Sequence, residues 1–138
     1  MQLKEITTNA VETVAPDASL LDAAKSMLAH DLGWLPVAEE GKVIGIITDR
    51  DIAIRGVALG LDSKKTLVRD VMTREVFSCP ADATVEDACT LMEEEQVRRI
   101  VIVDENDDLA GIVSLADIAA QTRGSQSAEV LKKVTEPA

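Results

Sequence analysis

Two short segments of the chain combine a hydroxyl side chain with a carboxylate three residues later. They are Thr48-Asp-Arg-Asp51 and Ser114-Leu-Ala-Asp117, and each follows an apolar, strand-like run. A helix that begins at such a point offers free backbone amides and the positive end of its dipole to a phosphate. The hydroxyl can donate to a phosphate oxygen, and the carboxylate can accept from two ribose hydroxyls. This chemistry favours a nucleotide-binding site.

The same spacing also has a purely structural interpretation. A Ser or Thr followed three residues later by Asp or Glu is a capping box, which satisfies the free amides of a helix start. The pattern recurs at Ser19-Leu-Leu-Asp22 and Thr84-Val-Glu-Asp87. Spacing alone favours capping, and both interpretations stay open because an empty site can cap its own helix until a ligand arrives. Gly45 and Gly111 would let neighbouring backbone approach the preceding strands closely.

The segments lie in a chain that is internally duplicated. Asp17–Met27 resembles Asp82–Met92 at a constant offset of 65 residues, and Gly45–Ala53 resembles Gly111–Ala119 at an offset of 66. Two copies are too few for a solenoid, which needs at least three units. A closed pair related by a pseudo-twofold axis is therefore expected.

Each copy predicts the order strand, helix, strand, strand, helix. The first helix of copy one is capped by Ser19 and ended by Gly33, and its apolar face is Leu20, Ala23, Ala24, Met27 and Leu28. The strands of copy one are predicted at Val11–Val14, Leu35–Ala38 and Val43–Ile47, and its second helix at Asp51–Gly60. Those of copy two are predicted at Val76–Ser78, Ile100–Val103 and Leu109–Val113, with a helix face at Val85, Ala88, Cys89 and Met92 and a last helix from Asp117.

These elements predict an α+β (mixed α/β) fold of tandem β-α-β-β-α repeats. The boundaries are expected at residues 1–61 for the first repeat and 62–124 for the second. Residues 125–138 predict a short amphipathic tail helix that has no counterpart in copy one.

Composition excludes several classes of function. The chain has 138 residues, 46% of them hydrophobic, and Trp34 and Phe77 are its only aromatic side chains, so the core must be aliphatic. The formal charge of −11 argues against a nucleic-acid partner, which is bound through Lys and Arg. No apolar run is long enough to span a bilayer, no signal-peptide pattern is visible, and two cysteines do not form a disulfide framework. A cytoplasmic protein without a membrane partner is expected by elimination.

The ordered motifs resemble a known family. Asp70-Val-Met-Thr73, Leu35-Pro-Val37, Gly45-Ile-Ile-Thr-Asp-Arg-Asp51 and the repeated helix starts are similar to those of a CBS-domain pair, or Bateman module. The resemblance spans both repeats and is to the stand-alone bacterial proteins of the hypoxic response protein 1 type. It implies two repeats packed sheet to sheet, two clefts between them that commonly bind AMP, ADP or ATP, and a homodimer.

The resemblance also implies site residues. In the first site, Thr48 would contact the phosphate, Asp51 the ribose and Arg50 the phosphate, and the adenine would lie near Val11, Thr13, Leu35 and Pro36. In the second site, Ser114 and Asp117 hold the matching positions, with Val76, Ile100 and Val101 around the base.

Copy two departs from copy one at these positions. Leu115-Ala116 replaces Asp49-Arg50, so the basic residue is missing, and Arg98 and Arg99 stand in place of Gly33 and Trp34. On this basis the second site is expected to be the weaker one.

The sequence thus predicts a regulatory or sensor module that binds adenosine nucleotides and performs no catalysis. The alternative is a constitutive dimeric interaction protein whose nucleotide clefts are vestigial or empty. An enzyme is not expected, because His30 is the only histidine and no catalytic base, P-loop or metal-ligand set can be assembled. No cofactor and no metal are expected, and the downstream protein partner is not identified.

Overall fold

The computed structural model of the protein describes residues 1–7 and 12–122. Contacts divide the chain into two compact units, which we call the N-unit, Glu12–Val76, and the C-unit, Met1–Val11 together with Phe77–Ala138. The units therefore differ from the sequence copies, because the start of the chain packs with the second copy. The repeat boundaries at 61 and 124 stay a prediction, and the predicted tail helix lies outside the described residues.

The N-unit contains a β-hairpin that is preceded in the chain by one helix and followed by others. Its elements are α1 (Leu20–His30), β1 (Trp34–Glu39), β2 (Lys42–Thr48), α2 (Asp49–Asp51), which continues as a π-helix over Ile52–Val57, and α3 (Val68–Val71). β1 and β2 are antiparallel, and Trp34 lies opposite Thr48. Glu40 and Gly41 at the turn both have positive φ, 53° and 83°. This is the turn geometry whose twist matches that of the flanking strands.

Helix α1 begins where the sequence predicts, but it differs in its end and in its buried face. Leu20, Ala23 and Met27 are buried, whereas Leu28 is 84% exposed, so its predicted place on the apolar face is wrong. At 3.6 residues per turn, the residue after Met27 is rotated about 100° away from that stripe. The helix ends at Asp31, not at Gly33. Asp31 adopts the left-handed conformation, which short polar side chains tolerate, and its amide donates to the carbonyl of Met27.

The segment that leads into the second copy packs back onto the N-unit. Leu67 pairs with Ser19, and Thr73 pairs with Ile46 through two backbone hydrogen bonds of 2.8 Å. A Cβ atom on Gly45 would lie 2.6 Å from the sulfur of Met72 and 3.0 Å from the carbonyl oxygen of Thr73. The expectation that Gly45 admits a close backbone is confirmed, and the backbone it admits belongs to this segment.

The C-unit has the same plan with a longer first strand. Its elements are β3 (Ser78–Pro80), α4 (Val85–Glu95), β4 (Arg99–Val103), β5 (Leu109–Ser114) and α5 (Leu115–Thr122). The strand order is β3-β4-β5, with β3 parallel and β5 antiparallel to β4. The start of the chain packs here, since Gln2 pairs with Thr84 as Leu67 pairs with Ser19 in the N-unit. Each copy's helix is thus held by the segment that precedes the other copy.

The first strand of each copy is shorter or later than predicted. In the N-unit only Val14 pairs, in parallel with Val37, and Val11 lies outside the described residues. In the C-unit the strand begins at Ser78, whereas the prediction was Val76–Ser78. The other four predicted strands are confirmed to within one residue at each end.

Each unit has its own core, and both cores are aliphatic as expected. The N-unit core consists of Val14, Leu20, Ala23, Met27, Leu35, Val37, Ile47, Val68, Val71 and Met72. The C-unit core consists of Leu3, Cys79, Val85, Ala88, Cys89, Met92, Ile100, Ile102, Val113, Leu115 and Ile118. Neither aromatic residue belongs to a core. Among the described helices, none is long and apolar enough to cross a bilayer.

Candidate functional site

The hydroxyl and carboxylate of the first predicted site cap their own helix. Thr48 is the last residue of β2, and its Oγ1 accepts from the amide of Asp51 at 3.0 Å. The carboxylate Oδ2 of Asp51 accepts from the amide of Thr48, also at 3.0 Å. The capping interpretation is therefore confirmed. The Thr48 hydroxyl acts here as an acceptor, so its own proton remains able to donate.

A second carboxylate stands at the same helix start. Asp49 Oδ1 accepts from the amide of Arg50 at 2.8 Å, and the amide of Asp49 donates to the carbonyl of Gly33 at 3.0 Å. A Cβ atom on Gly33 would lie only 2.8 Å from Asp49 Oδ2. The glycine thus leaves room for this carboxylate. Asp49 and Arg50 are both exposed, and Asp51 is half-buried.

The second predicted site repeats the capping geometry in the C-unit. The amide of Ser114 donates to Asp117 Oδ2 at 2.8 Å, and the amide of Asp117 donates to Ser114 Oγ at 3.1 Å. The amide of Leu115 donates to the carbonyl of Arg98 at 2.8 Å, as that of Asp49 does to Gly33. The two helix starts therefore share one backbone geometry. They differ only in their side chains.

Strand alternation separates the predicted base-contacting residues into two groups. Leu35 and Ile100 are fully buried and belong to the cores, so their side chains face away from a ligand on the other side of the sheet. Pro36 and Val101 occupy equivalent positions on the opposite side of the same strands and are also buried, although neither belongs to one of the two core clusters. We call this side the non-core face. In the N-unit it carries Trp34, Pro36, Ile46 and Thr48, and in the C-unit Arg99, Val101, Ile112 and Ser114.

The other three residues predicted to contact the base, Thr13, Val11 and Val76, lie outside the strands of the non-core face. Thr13 is exposed and precedes Val14, which pairs along β1. Val11 lies outside the described residues, and Val76 is a half-buried residue at the end of the N-unit.

Sequence reasoning missed the partners of these residues on the non-core face. Ile46 lies opposite Pro36, and Ile112 lies opposite Val101. The period-two alternation of each strand, counted from the hydroxyl residue, would have found both of them. The same count places Arg99 directly opposite Ser114. Paired residues of antiparallel strands share a face, so Arg99 and Ser114 lie on the same side of the sheet.

A concave pocket lies elsewhere in the C-unit. Its volume is about 410 Å³, and its lining is Lys4, Pro80, Ala81, Asp82, Val103, Asp104 and Glu105. It is at the Val103 end of β4, whereas Ser114 lies beside Arg99 at the other end. With three carboxylates against one ammonium, its charge is unsuited to phosphate. We do not assign the pocket to nucleotide binding.

The cysteines have core positions, as their place in the sequence repeat predicted. Cys79 and Cys89 are both buried and unpaired. Burial raises the pKa of both thiols, assisted by Asp87 at Cys79 and by Glu93 and Glu86 at Cys89, whose pKa rises to about 11. Thiols held in the protonated form are poor nucleophiles and poor metal ligands. Across residues 1–7 and 12–122, no group of three or more His, Cys, Asp or Glu side chains could hold a metal ion.

Comparison with known proteins identifies the repeated unit. The family model described as CBS domain matches residues 3–56 and again residues 68–122. The chain is 42% identical to the CBS domain-containing protein YhcV of Bacillus subtilis over 126 residues, which covers 91% of this chain and 89% of that protein.

Solved structures match over a similar span. The crystal structure of Hypoxic Response Protein I with two coordinated zinc ions has a TM-score of 0.79 and 34% identity, covering 88% of this chain and 98% of that one. The CBS domain pair of protein MJ0100 was solved in complex with 5′-methylthioadenosine and S-adenosyl-L-methionine. It has a TM-score of 0.76 and 30% identity, covering 90% of this chain and 97% of that one.

Proposed function

Since the chain belongs to the CBS-domain family, we propose that it is a regulatory module that binds adenosine nucleotides, AMP, ADP or ATP, and performs no catalysis. The observation that carries this proposal is the repeated hydroxyl–carboxylate pair at the edge of the non-core face, Thr48 with Asp51 and Ser114 with Asp117. A member of the same family has been crystallised with two adenosine-containing ligands, which supports an adenosine compound as the ligand here.

Each residue of a pair has a distinct proposed role. The hydroxyl of Thr48 or Ser114 donates to a phosphate oxygen, and the carboxylate of Asp51 or Asp117 accepts from the ribose hydroxyls. The capping bonds use Oδ2 of each carboxylate, so Oδ1 can accept from a ribose without opening the cap. In the N-unit, Arg50 is the residue predicted to contact a phosphate, and the exposed carboxylate of Asp49 beside it opposes that charge.

The apolar side of the adenine would rest on the non-core face. Pro36 and Ile46 provide it in the N-unit, and Val101 and Ile112 provide it in the C-unit. Because Leu35 and Ile100 are core residues, we propose that they support the base through their backbone only. Thr13, Val11 and Val76 stay predicted contacts.

The experiment is a thermal melt with and without millimolar AMP, ADP and ATP, followed by calorimetric titration. A ligand that binds only the folded protein raises its stability by about 2.7 kcal/mol at a hundredfold excess over Kd. We expect Asp51→Ala to remove binding of an adenosine compound at the Thr48 site and Asp117→Ala to remove it at the Ser114 site.

The chain provides a matched control for this experiment. Asp87 forms the same capping box with Thr84 at the start of α4, with bonds of 3.0 and 3.1 Å. Asp87→Ala therefore loses a similar cap without touching either proposed site. If Asp87→Ala lowers nucleotide affinity as much as Asp117→Ala, the site assignment is wrong. If no nucleotide shifts the melting temperature of the wild type, the boxes are caps only, and the constitutive interaction protein becomes the favoured function.

We also propose that a second copy of the chain covers an apolar surface of the N-unit. Leu28, Ile54, Val57 and Leu59 are 84%, 53%, 71% and 69% exposed. Leu28 lies on α1 and the others on or just after the π-helix, and a Cβ atom on Gly56 would touch Leu20 of α1 at 2.9 Å. The π-helix thus packs against the start of α1.

Light scattering during size exclusion tests the homodimer. We expect the wild type to elute at twice the chain mass and Val57→Asp to elute as a monomer with unchanged circular dichroism. A monomeric wild type at micromolar concentration would contradict the homodimer.

A further inference from the structure

The backbone amides at the start of α2 are all satisfied within the N-unit. The amide of Asp49 donates to Gly33, and the amides of Thr48 and Asp51 donate to each other's side chains. The remaining amide, that of Arg50, donates to Asp49 Oδ1 at 2.8 Å. A carboxylate oxygen therefore already stands where a phosphate oxygen would accept from this helix start.

The C-unit has the same backbone without this carboxylate. Three of the four amides are satisfied as in the N-unit, by Arg98, Asp117 and Ser114. The fourth belongs to Ala116, which is exposed, and the side chain that would correspond to Asp49 is Leu115. Within residues 1–7 and 12–122 the Ala116 amide has no hydrogen-bond acceptor, and we infer that an external anion can accept from it.

The charged residues around Thr48 and Ser114 also make the Ser114 site the one better suited to an anion. At the N-unit site, Asp49 and Asp51 outnumber Arg50. At the C-unit site, Asp117 is the single acid, Arg99 lies opposite Ser114 on the non-core face, and Arg98 precedes it. The residue equivalent to Arg98 is Gly33, where any Cβ atom would collide with the Asp49 carboxylate. The N-unit therefore combines a small residue, Gly33, with a charged one, Asp49. The C-unit combines a charged residue, Arg98, with an apolar one, Leu115, at the equivalent positions.

We propose that Asp49 determines the ligand charge accepted at the Thr48 site, by acting as an internal anion that excludes phosphate. The site then accepts an adenosine compound that carries no negative charge, and phosphate-bearing nucleotides bind at the Ser114 site. This inference rests on the proposed function. Arg50 alone predicts that phosphate-bearing ligands bind more tightly at the Thr48 site. The inference predicts the opposite order of affinities.

The physical reason is repulsion at short range. A phosphate that contacted the Arg50 amide would have to displace the Asp49 carboxylate or lie within contact distance of it, and like charges at about 4 Å repel even at an exposed position. We expect this repulsion to weaken phosphate binding by roughly fivefold relative to a variant without the charge.

Calorimetric titration of the full chain with adenosine, AMP and ATP tests the inference. In the wild type, AMP and ATP should bind at about one equivalent per chain, and this binding should be lost in Asp117→Ala and kept in Asp51→Ala. Asp49→Leu, which copies Leu115, should bind AMP at about two equivalents. Asp49→Asn keeps an acceptor for the Arg50 amide but removes the charge, so its AMP affinity at the Thr48 site separates repulsion from simple occupancy.

Adenosine serves as the control ligand, because it has no phosphate and its affinity should change less than about twofold in either Asp49 variant. If AMP binds the wild type at the Thr48 site, shown by its loss in Asp51→Ala, and Asp49→Asn leaves that affinity unchanged, the inference is wrong and the proposed function stands. If no adenine compound binds the wild type or any variant, the proposed function fails, and the inference fails with it. The number of AMP equivalents bound by Asp49→Leu can be measured without a substitution at the Ser114 site. The inference can therefore be tested even if Asp117→Ala folds poorly.

Discussion

The starts of α2 and α5 share one local structure but have different surroundings. Their capping bonds agree to within 0.2 Å, with distances of 3.0 and 3.0 Å at Thr48 and of 2.8 and 3.1 Å at Ser114. The residue after the hydroxyl is an exposed Asp49 in one case and Leu115, 7% exposed and part of a core, in the other. The hydroxyl residue and the carboxylate three positions later therefore fix the helix start, whereas the two residues between them decide which charge the start presents.

The largest expected effect on stability comes from giving position 115 of the C-unit the carboxylate that the N-unit has at the equivalent position 49. Leu115→Asp places a carboxylate in a core without a partner, and we expect it to lower the free energy of unfolding by about 3 kcal/mol or more. The reverse change, Asp49→Leu, is at an exposed position and removes only the acceptor of the Arg50 amide, so it should lower stability by about 1 kcal/mol or less. Urea denaturation of both variants measures this asymmetry. Equal losses would mean that the two positions have the same environment after all.

The two capping boxes should contribute equally to the free energy of unfolding, although their sites differ in proposed ligand. Asp51→Ala and Asp117→Ala each remove the acceptor for one amide, which costs about 1 kcal/mol. Chemical denaturation without ligand should give two losses that agree within about 0.5 kcal/mol. A much larger loss at either position would show that its carboxylate has a structural role beyond the cap.

Coupling between Gly33 and Asp49 should be smaller but specific to the N-unit. Gly33→Ala brings a Cβ atom to 2.8 Å from Asp49 Oδ2, so the carboxylate must move from the amide of Arg50. We expect a loss of about 1 kcal/mol, and a double-mutant cycle with Asp49→Leu should recover about 0.5 kcal/mol or more of it. Arg98→Ala in the C-unit serves as the reference change, with little effect expected. Strict additivity of Gly33→Ala and Asp49→Leu would contradict the contact.

The smallest effect is a difference in alkaline stability between the units. Burial, with Glu93 and Glu86, raises the pKa of the Cys89 thiol from 9.0 to about 11, whereas the matching position in the N-unit is Ala24. The folded state then holds a proton that the unfolded chain releases, so this stabilisation is complete below pH 9 and is lost as the pH rises towards 11. We expect Cys89 to account for a loss of roughly 0.4 kcal/mol by pH 9, so that Cys89→Ala loses that much less than the wild type, while the Cys79 thiol, whose pKa is also raised, still contributes. Denaturation midpoints between pH 7 and about 9 test it, and identical profiles of the two proteins would contradict the buried thiol.

Local sequence signals predicted most of the fold. The duplication, four of the strands and the capping residues Ser19, Thr48, Thr84 and Ser114 follow from periodicity and local spacing, which act within a few positions of the chain. The errors also have local causes. The second helix of each copy begins two residues before the predicted Asp51 and Asp117, directly after its capping residue, and that of copy one ends at Val57, before the predicted Gly60. Leu28 is apolar but lies off the buried face, and the left-handed residue at the end of α1 is Asp31, although glycine is the usual residue there.

The candidate site was only partly predictable for the same reason. The hydroxyl and carboxylate residues were found because their spacing is a local signal. The sequence predicts Leu35 and Ile100 alongside Pro36 and Val101 and does not point to Ile46 and Ile112, because the side of a sheet on which a residue lies is defined by strand register.

The sequence by itself determined the repeated β-α-β-β-α plan, the aliphatic cores and the four capped helices, since each depends on neighbours along the chain. Only the tertiary structure decided three further features: that residues 1–7 pack with the second copy, that Asp49 occupies the space left by Gly33, and that Arg99 lies opposite Ser114. Each of these joins residues far apart in sequence, and their distances depend on backbone packing and strand register that local residue patterns do not specify.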